Sequence, residues 1–283
     1  MGGKIDSKAL GLDIGLAFTK WLTGAENLHY GLWDGLEVVP ANLRTAQDRY
    51  TEKLFSLLPE GKLKILDIGG GAGETARKLL ALGHEVEIVV PAPYLAERCR
   101  ENAPGAVVHE ATFEALRRER RFDVCLFSES FQYIPLSVGM AKAAQLLNPG
   151  GVVLIADCFR AEAFTGGGSR VPGGGHPIRR FRKALAESGL EVQHDEEITT
   201  SVAPSIDLEQ SLFHVFGFAA GRIDGELQEK RPRARWLINR AYRLTVSAKR
   251  RDKLAARLNE NRRTAESFIA NNHYLMLKLR PPG

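Results

Sequence analysis

The run Lys64-Ile65-Leu66-Asp67-Ile68-Gly69-Gly70-Gly71-Ala72-Gly73-Glu74 constrains the fold more than any other part of this 283-residue chain. An apolar strand breaks into a glycine turn, and the turn opens a helix. That order leaves bare backbone N–H groups at the carboxyl edge of a strand, beside a helix N-terminus, where a polar ligand can be held. The glycines alternate as Gly69-x-Gly71-x-Gly73. A dinucleotide fingerprint needs glycine at position 74, which is Glu74, so a nicotinamide site is not indicated. Asp67 and the three glycines are therefore the first candidate site, set against a tight strand–helix turn that binds nothing.

From Glu60-Gly61 onward, hydrophobic periods alternate between two and 3.6. Residues 63–68, 85–90, 106–109, 122–128, 151–157, 190–198 and 273–279 read as strands. Residues 72–82, 92–102, 136–147 and 178–188 read as helices. This alternation predicts an α/β fold with a parallel sheet wrapped by helices. Residues 5–57 look helical, broken by the Leu28–Trp33 segment, so residues 1–60 form a helical N-terminal unit. Residues 201–270 are far too long for a loop and are expected to form a helical cap, leaving 61–200 and 271–283 as the core.

Hydrophobic content of 44% and charged content of 26% suit a soluble globular enzyme. No apolar run reaches membrane-spanning length, and neither a signal peptide nor an acylation motif stands at the N-terminus. Cys99, Cys125 and Cys158 show no ligand spacing and cannot all pair, which points to a reducing cytoplasm. The net charge of +5 is unevenly placed: Lys230–Arg263 holds 13 basic against two acidic residues, or +11, leaving about −6 elsewhere. That asymmetry marks one surface rather than a uniformly basic nucleic-acid binder.

The glycine motif, as the first element of such an alternation, resembles the first motif of class I S-adenosylmethionine (SAM) methyltransferases. His29-Tyr30-Gly31-Leu32-Trp33, followed by Asn42-Leu43-Arg44-Thr45-Ala46-Gln47, is similar to the aromatic segment and helix of the small-molecule branch. Mycolic-acid cyclopropane synthases and tocopherol or sarcosine methyltransferases carry such a segment. The resemblance implies a Rossmann-like seven-stranded sheet of order 3-2-1-4-5-7-6 with the last strand antiparallel. It also implies SAM as cofactor, with its methionine end over the glycine turn and the N-terminal helices folded above it. Tyr30 and Gln47 would then belong to the cofactor site, Tyr30 offering its hydroxyl to the SAM carboxylate and its ring to the sulfonium. Tyr30 and Trp33 read equally as core aromatics of the helical unit.

The chain departs from that pattern twice. Val90 stands where the family places the acid that binds both ribose hydroxyls, and Pro91-Ala92-Pro93 stiffens the turn after it. A diol left without its acceptor costs about 1–3 kcal/mol. Glu110-Ala111-Thr112-Phe113 stands where an adenine-side Asp is common, so Thr112 and Phe113 are the candidates there.

Phe127-Ser128-Glu129-Ser130-Phe131-Gln132-Tyr133 falls at the carboxyl edge of the fourth strand, where catalytic groups are expected. Ser128 is a cofactor candidate, and Glu129 and Tyr133 are catalytic candidates. Cyclopropane synthases use a glutamate in this region; Glu129 read blandly is a strut bonded to loop amides. His176 enters the next helix from the same edge and suits deprotonation of a substrate, helix capping or substrate binding. No spacing demands that Asp157, Glu129 and His176 hold a metal. The segment is also not the Asn/Asp-Pro-Pro-aromatic motif of enzymes that methylate base amines, and no recognition module is present.

Within the cap, Leu237, Ala241, Leu244 and Ala248 fall on one helical face among Arg and Lys residues. Such a helix suits an anionic membrane surface, an acidic substrate, or simply solvent. The expected function is transfer of the sulfonium methyl to a small organic molecule such as a lipid, quinone, isoprenoid or amine. The alternatives are another SAM chemistry, motivated by Val90, and a degenerate scaffold without catalysis. The oligomeric state, including a homo-oligomer, is left open.

Overall fold

The computed structural model describes residues 7–117, 121–164, 171–260 and 263–282, with side chains from Asp13 onward. Two helices, α1 (Ser7–Thr23) and α2 (Leu43–Phe55), precede β1 (Lys64–Ile68). There follow α3 (Glu74–Ala81), β2 (Glu85–Val90), α4 (Pro93–Asn102), β3 (Val107–Glu110), β4 (Phe122–Ser128) and α5 (Leu136–Leu146). Then come β5 (Leu147–Arg160), α6 (Ile178–Glu187) and β6 (Glu191–Glu197). Helices α7 (Thr199–Val202), α8 (Pro204–Lys230), α9 (Pro232–Thr245), α10 (Ala248–Asn259) and α11 (Ala265–Asn271) lie between β6 and β7 (Asn272–Arg280).

One sheet runs in the order β3-β2-β1-β4-β5-β7-β6. β1 through β5 pair in parallel, and β7 runs antiparallel between β5 and β6, as the resemblance implies. Strands buried on both faces alternate their side chains between two cores. Ile65, Ile88, Val124, Leu126 and Leu154 pack on the side of Tyr50, Leu79 and Ile206. Leu66, Ile68, Cys125, Phe127 and Ile155 pack on the side of Met140 and Phe181. All three cysteines are buried and unpaired.

Two elements depart from the sequence reading for physical reasons. Helix α3 starts at Glu74 rather than 72, because Gly71 and Gly73 hold left-handed backbone just before it. Strand β5 outlasts its apolar run at both ends. β4 pairs with it as early as Leu147 across a bulge, and β7 extends the ladder to Arg160 opposite Asn272. Among the described residues no helix is long and apolar enough to cross a membrane.

Candidate active site

A cleft of about 420 Å³ opens over the carboxyl edges of β1, β2 and β4, a size suited to a cofactor. Its floor is the glycine turn. Gly69 has φ +76, and a Cβ there would stand 2.3 Å from Ser130 Cβ. Gly73 has φ +88, and a Cβ there would stand 2.9 Å from Cys99 Cα. Gly69, Gly71 and Gly73 spend their amides on carbonyls of Val89, Gly69 and Gly70. The amides of Gly70 and Ala72 have no partner among the described residues.

Two buried polar atoms beside this floor are also without a partner among the described residues: Asp67 Oδ2 and Asn27 Nδ2. Unpaired buried groups are uncommon and mark places where a ligand completes the bonding. The lining contains Glu26, Asp67, Glu74, Glu114 and Glu129 and, among the described residues, no lysine or arginine. Behind the wall Glu26 pairs with Lys20 and Arg98, and Glu74 with Arg77, so the lining offers carboxylate oxygens to a cation and no cation of its own to a pyrophosphate. SAM, with its ammonium and sulfonium, matches that charge; the free amides of Gly70 and Ala72 suit its carboxylate. At the ends of β2 and β3 the wall is largely apolar, with Val89, Val90, Pro91, Leu95 and Phe113. Carboxylates, free amides and an apolar wall thus suit the cofactor, while Val90 at the end of β2 offers no acceptor for a ribose diol.

Burial pushes the Asp67 carboxyl up to about 7. A folded-state value above the unfolded one means that the stability this group contributes is complete below pH 4. It falls away as pH rises through about 7. A bound cation reverses the penalty by favouring the carboxylate, so SAM affinity rises with pH up to about 7 and then levels. Calorimetric titration across pH measures this, and Asp67→Asn removes that component; an unchanged pH dependence in the variant contradicts it.

Glu129 follows β4 with φ +55, the single non-glycine in the left-handed region among the described residues. That conformation costs about 1–2 kcal/mol, and such outliers concentrate at functional sites. Its Oε1 accepts the Tyr30 N–H at 2.8 Å and the Tyr274 hydroxyl at 2.9 Å. Oε2 has no partner among the described residues, on a side chain that lines the cleft. The Tyr50 hydroxyl lies 2.8 Å from that of Tyr274 and 3.2 Å from Ser128 Oγ. Because Tyr274 donates to Glu129, it accepts from Tyr50, which in turn accepts from Ser128. Burial pushes Glu129 up to about 8; the Tyr30 amide and the Tyr274 hydroxyl oppose that, and the Asp157 charge adds to it. Asp157, fully buried, accepts from the Gln132 amide and side chain and from the Cys158 amide, and burial raises it to about 7.

The structure gathers Asp67, Gly69, Gly71, Val90, Thr112, Phe113, Ser128, Glu129 and Tyr133 around one cleft. Gly73 stands just behind, at the N-terminus of α3. Thr112 Oγ1 caps its own turn by accepting from the Ala115 amide, and Phe113 lies edge-on to Phe127. Tyr133, 60% exposed, sits at the mouth.

Besides Gly73, three candidates lie outside the lining. The Tyr30 ring turns away, edge-on to Phe268 and tilted against Tyr274, while its backbone holds Glu129. Gln47 donates to the His29 carbonyl from within the core. His176 Nε2 lies 2.9 Å from the Ile134 carbonyl, pinning the segment that carries Tyr133. The residues that wall the cleft from the N-terminal segment are Glu26, Asn27, Leu28 and His29. His29 stacks on Tyr50; burial lowers it to about 4, so it stays neutral and donates Nδ1–H to the Tyr30 carbonyl. Trp33 donates to Ser205 Oγ, tying this segment to α8.

Residues 41–195 match the methyltransferase domain family. A ubiquinone biosynthesis O-methyltransferase of Methylocella silvestris is 32% identical over 149 residues, 48% of this chain and 56% of that protein. The (4+2) cyclase SpnF superposes with a TM-score of 0.69 at 15% identity, covering 97% of this chain and 96% of that one. A cyclopropane synthase of Mycobacterium tuberculosis superposes at 0.68 and 15% identity, covering 95% of each chain. With its sheet order, glycine cradle and carboxylate-lined cleft, the chain belongs to the methyltransferase domain family, as a SAM-dependent enzyme of class I fold.

Proposed function

We propose that this enzyme methylates a small organic acceptor whose hydroxyl or amine meets Glu129, and that Glu129 takes the acceptor's proton. The observation that carries this reading is the split carboxylate: Oε1 is fixed by Tyr30 and Tyr274, and Oε2 is left to the cleft. Bound SAM supplies an electrophilic methyl on a cationic sulfur. Glu129 holds the acceptor by a hydrogen bond to Oε2 and receives its proton there as the oxygen or nitrogen forms its new bond. The Ser128–Tyr50–Tyr274 chain keeps the carboxylate aimed. Leu28, Ile134 and Tyr133 give the acceptor's side of the cleft an apolar surface that excludes water. His176 works at one remove, by fixing Ile134 and so the position of Tyr133. The name of the Methylocella relative supports a hydroxyl acceptor. Incubation with methyl-labelled SAM and a panel of phenols, quinols, isoprenoids and amines tests the reading. Label in one small-molecule class with stoichiometric S-adenosylhomocysteine supports it, and label recovered only in nucleic acid or protein contradicts it.

Val90 favours a second reading, in which SAM sits differently and another outcome follows; the cyclase of like fold is consistent with it. Methylthioadenosine in place of S-adenosylhomocysteine would establish it. Under the first reading, Val90→Asp supplies the missing diol acceptor and tightens SAM binding about tenfold. Flat or weaker binding by calorimetry places the ribose elsewhere.

A further inference from the structure

We propose that α8 and α9 of the cap dock this enzyme onto an anionic lipid surface. The inference is independent of the acceptor's identity. A helix in a soluble protein normally buries its apolar stripe, yet α9 has no buried residue. Trp236 is 59%, Leu237 59% and Leu244 77% exposed, and on the neighbouring α8 Val215, Phe218 and Ile223 are equally bare. Leu237, Ala241 and Leu244 follow helical spacing along one stripe, with Arg233 and Arg240 at its edge. Arg235 joins the two helices through a two-pronged 2.8 Å pair with Asp224. Arg251 bonds the carbonyls of Arg243 and Val246 and so sets α10 against the end of α9.

Charge identifies the occupant. Arg233, Arg240, Arg243, Lys249, Arg250 and Lys253 meet no carboxylate among the described residues. A second copy would bring the same +11 segment against this one and be repelled. An anionic bilayer instead receives the apolar side chains and neutralises the arginines, the arrangement of interfacial amphipathic helices.

Co-sedimentation of the full chain with vesicles of equal phosphatidylglycerol and phosphatidylcholine, against pure phosphatidylcholine, tests this. Binding is expected only to the anionic vesicles and is expected to collapse near 1 M salt. The triple variant R233E/R240E/R243E is expected to weaken it about a hundredfold, and L237S/L244S about tenfold. In a W21F background, Trp236 emission is expected to shift blue on vesicles. SAM binding is expected to be unchanged in all variants, which shows that they fold. No binding to anionic vesicles overturns the proposal, as does binding that the arginine variant leaves intact. Self-association on light scattering that L237S/L244S abolishes, without vesicle binding, overturns it in favour of a second copy.

Discussion

Glu129→Gln lowers kcat by about a hundred- to ten-thousandfold, the range for loss of a positioned base. It leaves SAM affinity within about threefold, since the amide keeps the same shape and Oε1 keeps both bonds. The pH profile separates this from a structural role. A base whose folded value lies at about 8 is mostly protonated below it, so kcat/KM climbs with pH and levels above about 8. In Glu129→Gln that limb disappears. Tyr274→Phe removes a bond that favours the carboxylate and moves the limb to higher pH with a smaller loss of rate. A Gln variant with near-normal turnover would make Glu129 a strut and end the proton-transfer account.

Gly69→Ala is the second large effect. The new Cβ meets Ser130 Cβ at 2.3 Å, and the backbone at φ +76 disfavours any side chain. Ser130 cannot retreat, because its hydroxyl donates to the Ile68 carbonyl. Left-handed strain and overpacking together cost about 2–4 kcal/mol, which lowers the melting temperature by roughly 5–10 °C. SAM affinity falls at least about tenfold, because a shift of the turn misaims the Gly70 and Ala72 amides. Adding Ser130→Gly restores part of both losses if the clash is their cause. Calorimetry and thermal melts of the four proteins form the cycle; wild-type affinity in Gly69→Ala would remove the turn from the site.

What the chain disclosed before folding follows the range of the interactions. Asp67 and the glycine turn were legible because strand, turn and helix signals are contiguous. Val90 was legible too, since strand β2 ends where its apolar run ends. The support of Glu129 was not: Tyr274 lies 145 positions after it, and Tyr274's own partner Tyr50 lies 224 positions before Tyr274. A single tyrosine in an apolar strand has no periodic mark of its partner. Tyr30 was found, but the direction of its ring was set by Phe268 in α11, which local sequence does not reveal. His176 likewise faces loop carbonyls, an outcome of an aperiodic segment between β5 and α6. The length of β5 depended on its neighbours rather than on its own residues.

The account rests on a cleft whose carboxylates and free amides select a sulfonium amino acid over a pyrophosphate. Parallel calorimetric titration of the chain with SAM and with NAD tests this most directly. The predicted result is one SAM per chain, displaced by S-adenosylhomocysteine, with no heat from NAD. No heat from SAM, or SAM displaced by NAD, would contradict it.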